Sequence, residues 1–192
     1  MRFSTIKVAL IVLRANPLHL KIIRLSSPRT AYHDYRNQGL DYYRSEIFDS
    51  ESWEWSEGKD ILVPPELSVD TFAPAVNANG LVYLKLSNDQ VMSLNYSAEE
   101  TFPRFSLPIP TFEYEDYQYN QLIEYNGKLG FTCLSPKGID LWIFENRRQV
   151  WELKKEVDIA PVKGVTKFLT PVGFYNADIA LMKDYHSRVA RR

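Results

Sequence analysis

The chain has 192 residues, of which 45% are hydrophobic and 24% charged, as in an ordinary soluble globular protein. Its net charge of −1 lacks the basic excess with which nucleic-acid binders meet phosphates, so no nucleic-acid partner is predicted. Aromatic residues make up 14% of the chain and favour half-buried pleated surfaces, which predicts an all-β fold.

The single cysteine, Cys133, excludes an internal disulfide and a zinc site built from several thiolates. It lies in an apolar run and is predicted to be a small buried core residue. A chain without disulfides suits a reducing compartment, and the predicted location is cytoplasmic or nuclear.

Residues 1–17 are predicted to form an N-terminal strand or extension. Two basic residues and the apolar run Val8–Leu13 resemble a short signal peptide, but Arg14 ends the run and no small-residue cleavage pattern follows. We therefore expect a buried strand here. The run is also too short to cross a bilayer, so no membrane partner is predicted.

Further along, apolar runs of strand length alternate with polar turns, and no long amphipathic helix is evident. The predicted strands are Leu18–Leu25, Tyr43–Phe48, Leu81–Leu86, Val91–Tyr96, Leu129–Leu134, Ile139–Phe144 and Ile179–Met182. The polar segments Ser26–Leu40 and Glu113–Asn120 are predicted to be loops.

Three aromatic residues mark a repeat, since Phe102 lies 49 residues after Trp53 and Trp151 lies 49 residues after Phe102. The turn Asn79-Gly80 recurs as Asn126-Gly127, and an Asn-Gly pair supplies the positive φ angles of a tight hairpin. A repeat of about 50 residues made of short strands is typical of propeller blades of the kelch type. The predicted fold is therefore antiparallel kelch-like blades in a partial, incomplete β-propeller. Its structural repeat positions are Trp53, Phe102, Trp142, Trp151, Gly80 and Gly127, with all three of these tryptophans in the core.

Several segments resemble the F-box-associated, kelch-like domain of plant F-box proteins. They are, in chain order, Tyr43–Trp55, Pro74–Tyr83, Glu124–Gly130, Leu141–Asn146 followed by Trp151, and Phe174–Met182. The resemblance covers residues 18–182, followed by a predicted flexible basic tail at 183–192. It implies a domain that recognises target proteins and presents them to a cullin-based ubiquitin ligase.

The chain departs from that family in two ways. Members carry a helical F-box that begins with a Leu-Pro pair and docks the ligase adaptor, and nothing in residues 1–36 matches it. The adaptor is therefore a partner only if an F-box is supplied elsewhere. Three and a fraction blades are also fewer than the four to eight of a closed ring, which predicts open sheet edges that invite pairing or poor solubility.

The sequence carries no phosphate loop, nucleophile elbow or metal-ligand spacing among His19, His33 and His186, so no catalytic residue, cofactor or metal is predicted. The carboxylates Glu113, Glu115 and Asp116 leave open a small β-rich hydrolase, although a solvated acidic loop explains them as well.

The same loop contains Tyr114, Tyr117 and Tyr119, whose side chains offer large contact area at low entropic cost. They are the candidate partner-binding residues, with packing against the sheet as the alternative. The function predicted from the resemblance is non-enzymatic recognition of an unknown target protein. A truncated decoy or structural fragment that competes for targets is one alternative, and the small β-rich hydrolase is the alternative from another class.

Overall fold

The structure is a computed structural model that describes residues 3–28, 41–64, 66–97, 100–108, 119–134, 138–157, 169–174 and 180–184. These residues form fifteen β-strands in four antiparallel sheets and no helix. The prediction of an all-β, antiparallel fold is confirmed. The chain divides into two compact units, residues 1–106 and 107–192.

The first unit contains two sheets. The first sheet has the order β1-β2-β3-β4, with β5 pairing β3, and the second has the order β6-β7-β8-β9. Their strands are β1 (Phe3–Ala15), β2 (Leu18–Pro28), β3 (Asp41–Asp49), β4 (Glu54–Glu57), β5 (Ile61–Val63), β6 (Val76–Ala78), β7 (Leu81–Lys85), β8 (Gln90–Asn95) and β9 (Glu100–Ser106).

One apolar core joins the two sheets of the first unit. Alternate residues of each strand supply it because successive side chains point to opposite faces of a sheet. The first sheet contributes Ala9, Ile11, Ile23, Leu25, Tyr43, Ile61 and Val63, and the second contributes Val82, Leu84, Met92 and Leu94. The inner face of the first sheet is therefore covered, and its other face points away from this core.

The second unit contains a third sheet, with the order β10-β11-β12-β13, and a small two-stranded sheet. Their strands are β10 (Tyr119–Tyr125), β11 (Lys128–Leu134), β12 (Ile139–Glu145), β13 (Val150–Val157), β14 (Leu169–Phe174) and β15 (Ala180–Asp184). Phe131, Cys133 and Leu141 of the third sheet are completely buried. The prediction that Cys133 is a small core residue is confirmed. Strand β15 extends two residues into the segment predicted to be a tail, and residues 185–192 lie outside the described residues.

Both Asn-Gly pairs form the tight hairpin turns that the sequence predicts. Asn79 and Gly80 have φ angles of 51° and 74°, and Asn126 and Gly127 have φ angles of 50° and 78°. Positive φ at both central residues matches the right-handed twist of the flanking strands. The two turns join the first and second strands of their four-stranded sheets, so the sequence repeat corresponds to a repeat in structure.

Gly127→Ala is expected to lower the free energy of unfolding by about 1–2 kcal/mol, the cost of placing an L side chain in the left-handed region. A Cβ atom at Gly127 would meet no atom within 4 Å, so backbone conformation alone sets this cost. Asn126→Gly keeps the turn geometry and is the matched control. Urea denaturation measures both variants, and equal stability of the two would contradict the turn assignment.

A second repeat joins the third and fourth strands of the first and third sheets. In the first sheet, the Trp53 backbone N–H donates to the Asp49 carbonyl at 2.8 Å, and Trp53 has a φ of 57°. In the third sheet, the Gln149 N–H donates to the Glu145 carbonyl at 2.8 Å, and Gln149 has a φ of 54°. The two loops therefore have the same length and the same left-handed last residue.

This equivalence corrects the repeat markers. Phe48 pairs with Trp55 across β3 and β4, and Phe144 pairs with Trp151 across β12 and β13. Trp151 therefore corresponds to Trp55 and not to Trp53, whose counterpart is Gln149. Phe102 lies in β9, opposite Ser93, so it is also on a fourth strand.

The prediction that Trp53 lies in the core is wrong, because 78% of its surface is exposed. It sits in the β3–β4 loop, where the chain turns before the next strand begins. Trp142 and Trp151, by contrast, are partly buried. The run Val8–Leu13 is a strand as expected, but only Ala9 and Ile11 are buried, because β1 covers the core with one face.

Candidate interaction face

The outer face of the first sheet carries a continuous row of large apolar side chains. Cross-strand pairing aligns Leu10 of β1 with Ile22 of β2, Ile22 with Phe48 of β3, and Phe48 with Trp55 of β4. We call the surface formed by this row and its apolar neighbours the aromatic face. Its residues are Val8, Leu10, Val12, Leu20, Ile22, Phe48, Trp53 and Trp55.

The aromatic rings at one end of this face contact each other. The Phe48 ring lies 5.7 Å from Trp53, edge-on at 75°, and 5.5 Å from Trp55 at 48°. Such geometries are the favourable ones for aromatic pairs. Trp53 belongs to this cluster because the left-handed backbone of its loop turns the side chain towards Phe48, and a bulky residue with positive φ is uncommon.

Charged side chains border the aromatic face in pairs of opposite sign. The Arg24 guanidinium lies 4.7 Å from the centre of the Trp55 ring and donates to Glu46 at 2.8 Å. Arg44 pairs with Glu57 at 3.2 Å. The guanidinium is attracted to the electron-rich ring face as well as to the carboxylate, so it holds Trp55 in place. These two pairs contribute two cations and two anions.

The aromatic face is more exposed than its counterpart in the third sheet, although Phe48 at its centre is half-buried. Phe144, the equivalent of Phe48, is only 2% exposed, and its partner Trp151 is partly buried. In the first sheet, Trp55 is 47% exposed and Leu10 is 57% exposed. Large exposed apolar patches on a protein surface often mark interaction sites.

A polar cluster lies at the end of the first sheet beside the β3–β4 loop. Asp49 is at its centre, with Oδ1 3.0 Å from His19 Nε2 and Oδ2 3.3 Å from Lys21 Nζ. The Glu51 backbone N–H also donates to Asp49 Oδ1 at 2.9 Å. This backbone bond, helped by His19 and Lys21, outweighs burial and lowers the pKa of Asp49. The Arg147 N–H has the same effect on the pKa of Glu145 in the third sheet.

Asp49→Asn is expected to reduce the dependence of stability on pH in the acid range. Because the folded pKa lies below the ordinary value of 3.8, the charged Asp49 stabilises the fold above that pH and loses its contribution as the pH falls through the folded value. Asparagine keeps an acceptor oxygen but cannot ionise. Urea denaturation between about pH 3 and pH 7 measures the difference. Parallel pH profiles for the two proteins would contradict the prediction.

The loop residues proposed from the sequence lie mostly outside the described residues. Tyr114 and Tyr117 do so, as do the candidate acidic residues Glu113, Glu115 and Asp116. Tyr119 opens β10, where its backbone pairs with Leu134. These candidates therefore stay predictions.

The described part of the chain contains no cluster of three His, Cys, Asp or Glu side chains suited to a metal ion. None of its described segments forms a helix with the length and apolarity of a membrane span. No protein-family model matches the chain, and no curated protein matches it significantly.

Sequence reasoning missed the aromatic face, although a signal for it was present. A motif of isoleucine, phenylalanine and an acidic residue, followed after five more residues by tryptophan, occurs at Ile47–Trp55 and again at Ile143–Trp151. Alignment on this motif places Phe48 and Trp55 together on one sheet. The hydrogen bond between His19 and Asp49 needed the structure, because the two residues are 30 positions apart in sequence.

Proposed function

We propose that the chain is a protein-recognition module without catalytic activity, of the F-box-associated, kelch-like type. The observation that carries this proposal is the exposed aromatic face. Tryptophan and arginine are among the residues enriched at binding hot spots, and here Trp55 and Arg24 lie on the first sheet with Trp53 in the adjoining β3–β4 loop.

The finer architecture is part of the same proposal. We infer that the first, second and third sheets, each built on four strands paired in chain order, are blades of an incomplete propeller. Their shared strand order, the two Asn-Gly turns and the two equivalent third-to-fourth strand loops support this reading. In a propeller, each blade needs a neighbour to cover its apolar face.

The role in ubiquitin ligation follows from the resemblance of the sequence to F-box-associated domains. The module would hold the target, and the ligase adaptor would join only where an F-box is supplied. A decoy that competes for the same targets has the same binding surface and differs only in lacking the ligase.

Affinity capture with the full 192-residue chain tests the proposal. The bait is immobilised at low density and incubated with native lysate, and bound proteins are quantified by mass spectrometry. Trp53→Ala is the face variant, and Phe72→Ala is the control because Phe72 is an exposed aromatic residue outside the aromatic face. Proteins bound by the wild type and the control but lost from Trp53→Ala support recognition through the face.

Two other outcomes of this capture are informative. Ligase subunits among the bound proteins would favour the adaptor role, and targets without ligase would favour the decoy. If the wild type and Trp53→Ala bind the same proteins in equal amounts, the aromatic face is not the recognition surface, and the tyrosines at 114, 117 and 119 become the next positions to replace.

A further inference from the structure

Strand β1 is the edge of the first sheet. Among the strands that the structure describes, it pairs only with β2, and its thirteen residues form the longest strand. The second long side of an edge strand presents backbone N–H and C=O groups that can pair with another strand.

The middle of β1 lacks the features that usually protect an edge. Proline, inward-pointing charges and bulges prevent such pairing in natural sheets. In β1 these features lie outside the middle: register shifts occur between Thr5 and Lys7 and between Val12 and Arg14, and the buried Lys7 points inward. The stretch from Val8 to Val12 between them is regular and carries no charge, glycine or proline.

We propose that β1 pairs in antiparallel orientation with β1 of a second copy of this chain, with Leu10 facing Leu10 across a two-fold axis. In this arrangement Val8 faces Val12 of the second copy, and Ala9 faces Ile11. The two first sheets then continue into one sheet. A C2 interface of this kind uses the same surface of both copies and needs a self-complementary pattern.

The alternation of side chains limits the possible registers. A two-fold axis perpendicular to the sheet keeps the same face upward in both copies, so residues of the aromatic face pair only with one another. The registers that satisfy this condition and lie nearest the middle of β1 are centred on Ala9, Leu10 or Ile11. A centre at Ala9 would set Val12 against Ile6, which lies in the first irregularity.

A centre at Ile11 is also less favourable, because it would set Val8 against Arg14, beyond the second irregularity. Only the centre at Leu10 keeps the pairs from Val8 to Val12 within the regular stretch of both copies. It also sets no charged residue within the paired stretch, since Lys7 and Arg14 lie beyond its two ends. Like charges directly opposite each other would destabilise the pair.

The exposed side chains of β1 gain cover in this arrangement. Val8, Leu10 and Val12 are 53%, 57% and 53% exposed in the single chain. Cross-strand neighbours lie about 4.5–5.5 Å apart between Cβ atoms, so these side chains would contact their counterparts. The aromatic face of one copy would also continue into that of the other, with Trp53 and Trp55 at the outer ends.

Charged substitutions at Leu10 test the proposal. We expect the wild-type chain to sediment as a dimer in analytical ultracentrifugation. Leu10→Lys and Leu10→Glu should each weaken the dimer by at least about tenfold, since like charges meet on the axis. A one-to-one mixture should regain it, with one copy of each seen by native mass spectrometry. Because Leu10 is exposed, both variants should keep the wild-type circular dichroism spectrum.

Cysteine cross-linking tests the register, and the buried Cys133 should not interfere. Leu10→Cys alone should form an intermolecular disulfide on mild oxidation. Val8→Cys and Val12→Cys should cross-link efficiently only when mixed. Cross-linking between positions 8 and 10, or 10 and 12, would overturn the register.

Two other results would overturn the edge pairing itself. One is a wild-type chain that stays monomeric, or a Leu10→Lys variant that dimerises as well as the wild type. The other is loss of the dimer in Trp55→Ala, which lies three strands away from the proposed contact. That loss would place the association on the aromatic face instead of the edge.

Discussion

Replacing Phe131 by alanine is expected to lower the free energy of unfolding by about 3–5 kcal/mol, the usual cost of deleting a fully buried aromatic ring. Phe131 is at the centre of β11 and is completely buried. Its ring lies 6.0 Å from that of Trp151, and β10 and β12 flank it on both sides. Neighbours held in a sheet relax little into the cavity, so most of the cost should remain.

Leu153→Ala on β13 of the same sheet is the matched control. Leu153 is 43% exposed, and its loss should cost less than about 1 kcal/mol. Denaturant unfolding followed by circular dichroism and by tryptophan fluorescence measures both variants. Equal destabilisation by the two substitutions would contradict the core assignment of the third sheet.

The structure also revises the expected effect of Trp151→Ala. From the sequence alone, a core tryptophan at this position predicts a loss of about 3–5 kcal/mol. Trp151 is only partly buried, against Phe131 and Phe144, so a loss near or below the lower end of that range is expected. The largest effect in this sheet therefore moves to Phe131.

Trp53→Ala is expected to abolish most partner capture while leaving the fold intact. A tryptophan hot spot costs about 2 kcal/mol or more on truncation, which corresponds to roughly a thirtyfold loss of affinity. The stability effect should stay within about 0.5 kcal/mol, since the side chain is 78% exposed.

Trp55→Ala should weaken capture as well, with a moderate loss of stability because Arg24 and Phe48 pack on its ring. The capture is measured against Phe72→Ala, whose side chain is 98% exposed elsewhere in the unit. If Phe72→Ala removes the same proteins as Trp53→Ala, binding depends on general surface hydrophobicity and not on the aromatic face.

Local sequence chemistry predicted most of the strands and turns. The Asn-Gly pairs predict hairpins because these residues accept positive φ, and both hairpins are found. The apolar runs predict the strands, since a pleated segment buries one side. β5 and β6, of three residues each, were missed because they are too short to show alternation. The longer strands β9, β10 and β14 were not predicted either.

Aligning the repeats by their spacing along the chain gave the wrong structural counterparts, because the spacing includes loop residues. Trp53, Phe102 and Trp151 are evenly spaced along the chain, but the structural counterpart of Trp151 is Trp55. Linear spacing counts loop residues together with strand residues. Hydrogen-bonded pairing across strands counts only the residues that face each other.

Composition and local pattern were thus enough to establish an antiparallel all-β chain, its tight turns and the burial of Cys133. Tertiary structure alone decided which face of the first sheet is covered. Alternation gives β1 two apolar faces, Ala9 and Ile11 on one and Val8, Leu10 and Val12 on the other. The second sheet packs against the face that carries Ala9 and Ile11 and leaves the aromatic face exposed. The sequence could not decide this, because burial depends on contacts between segments that are far apart in the chain.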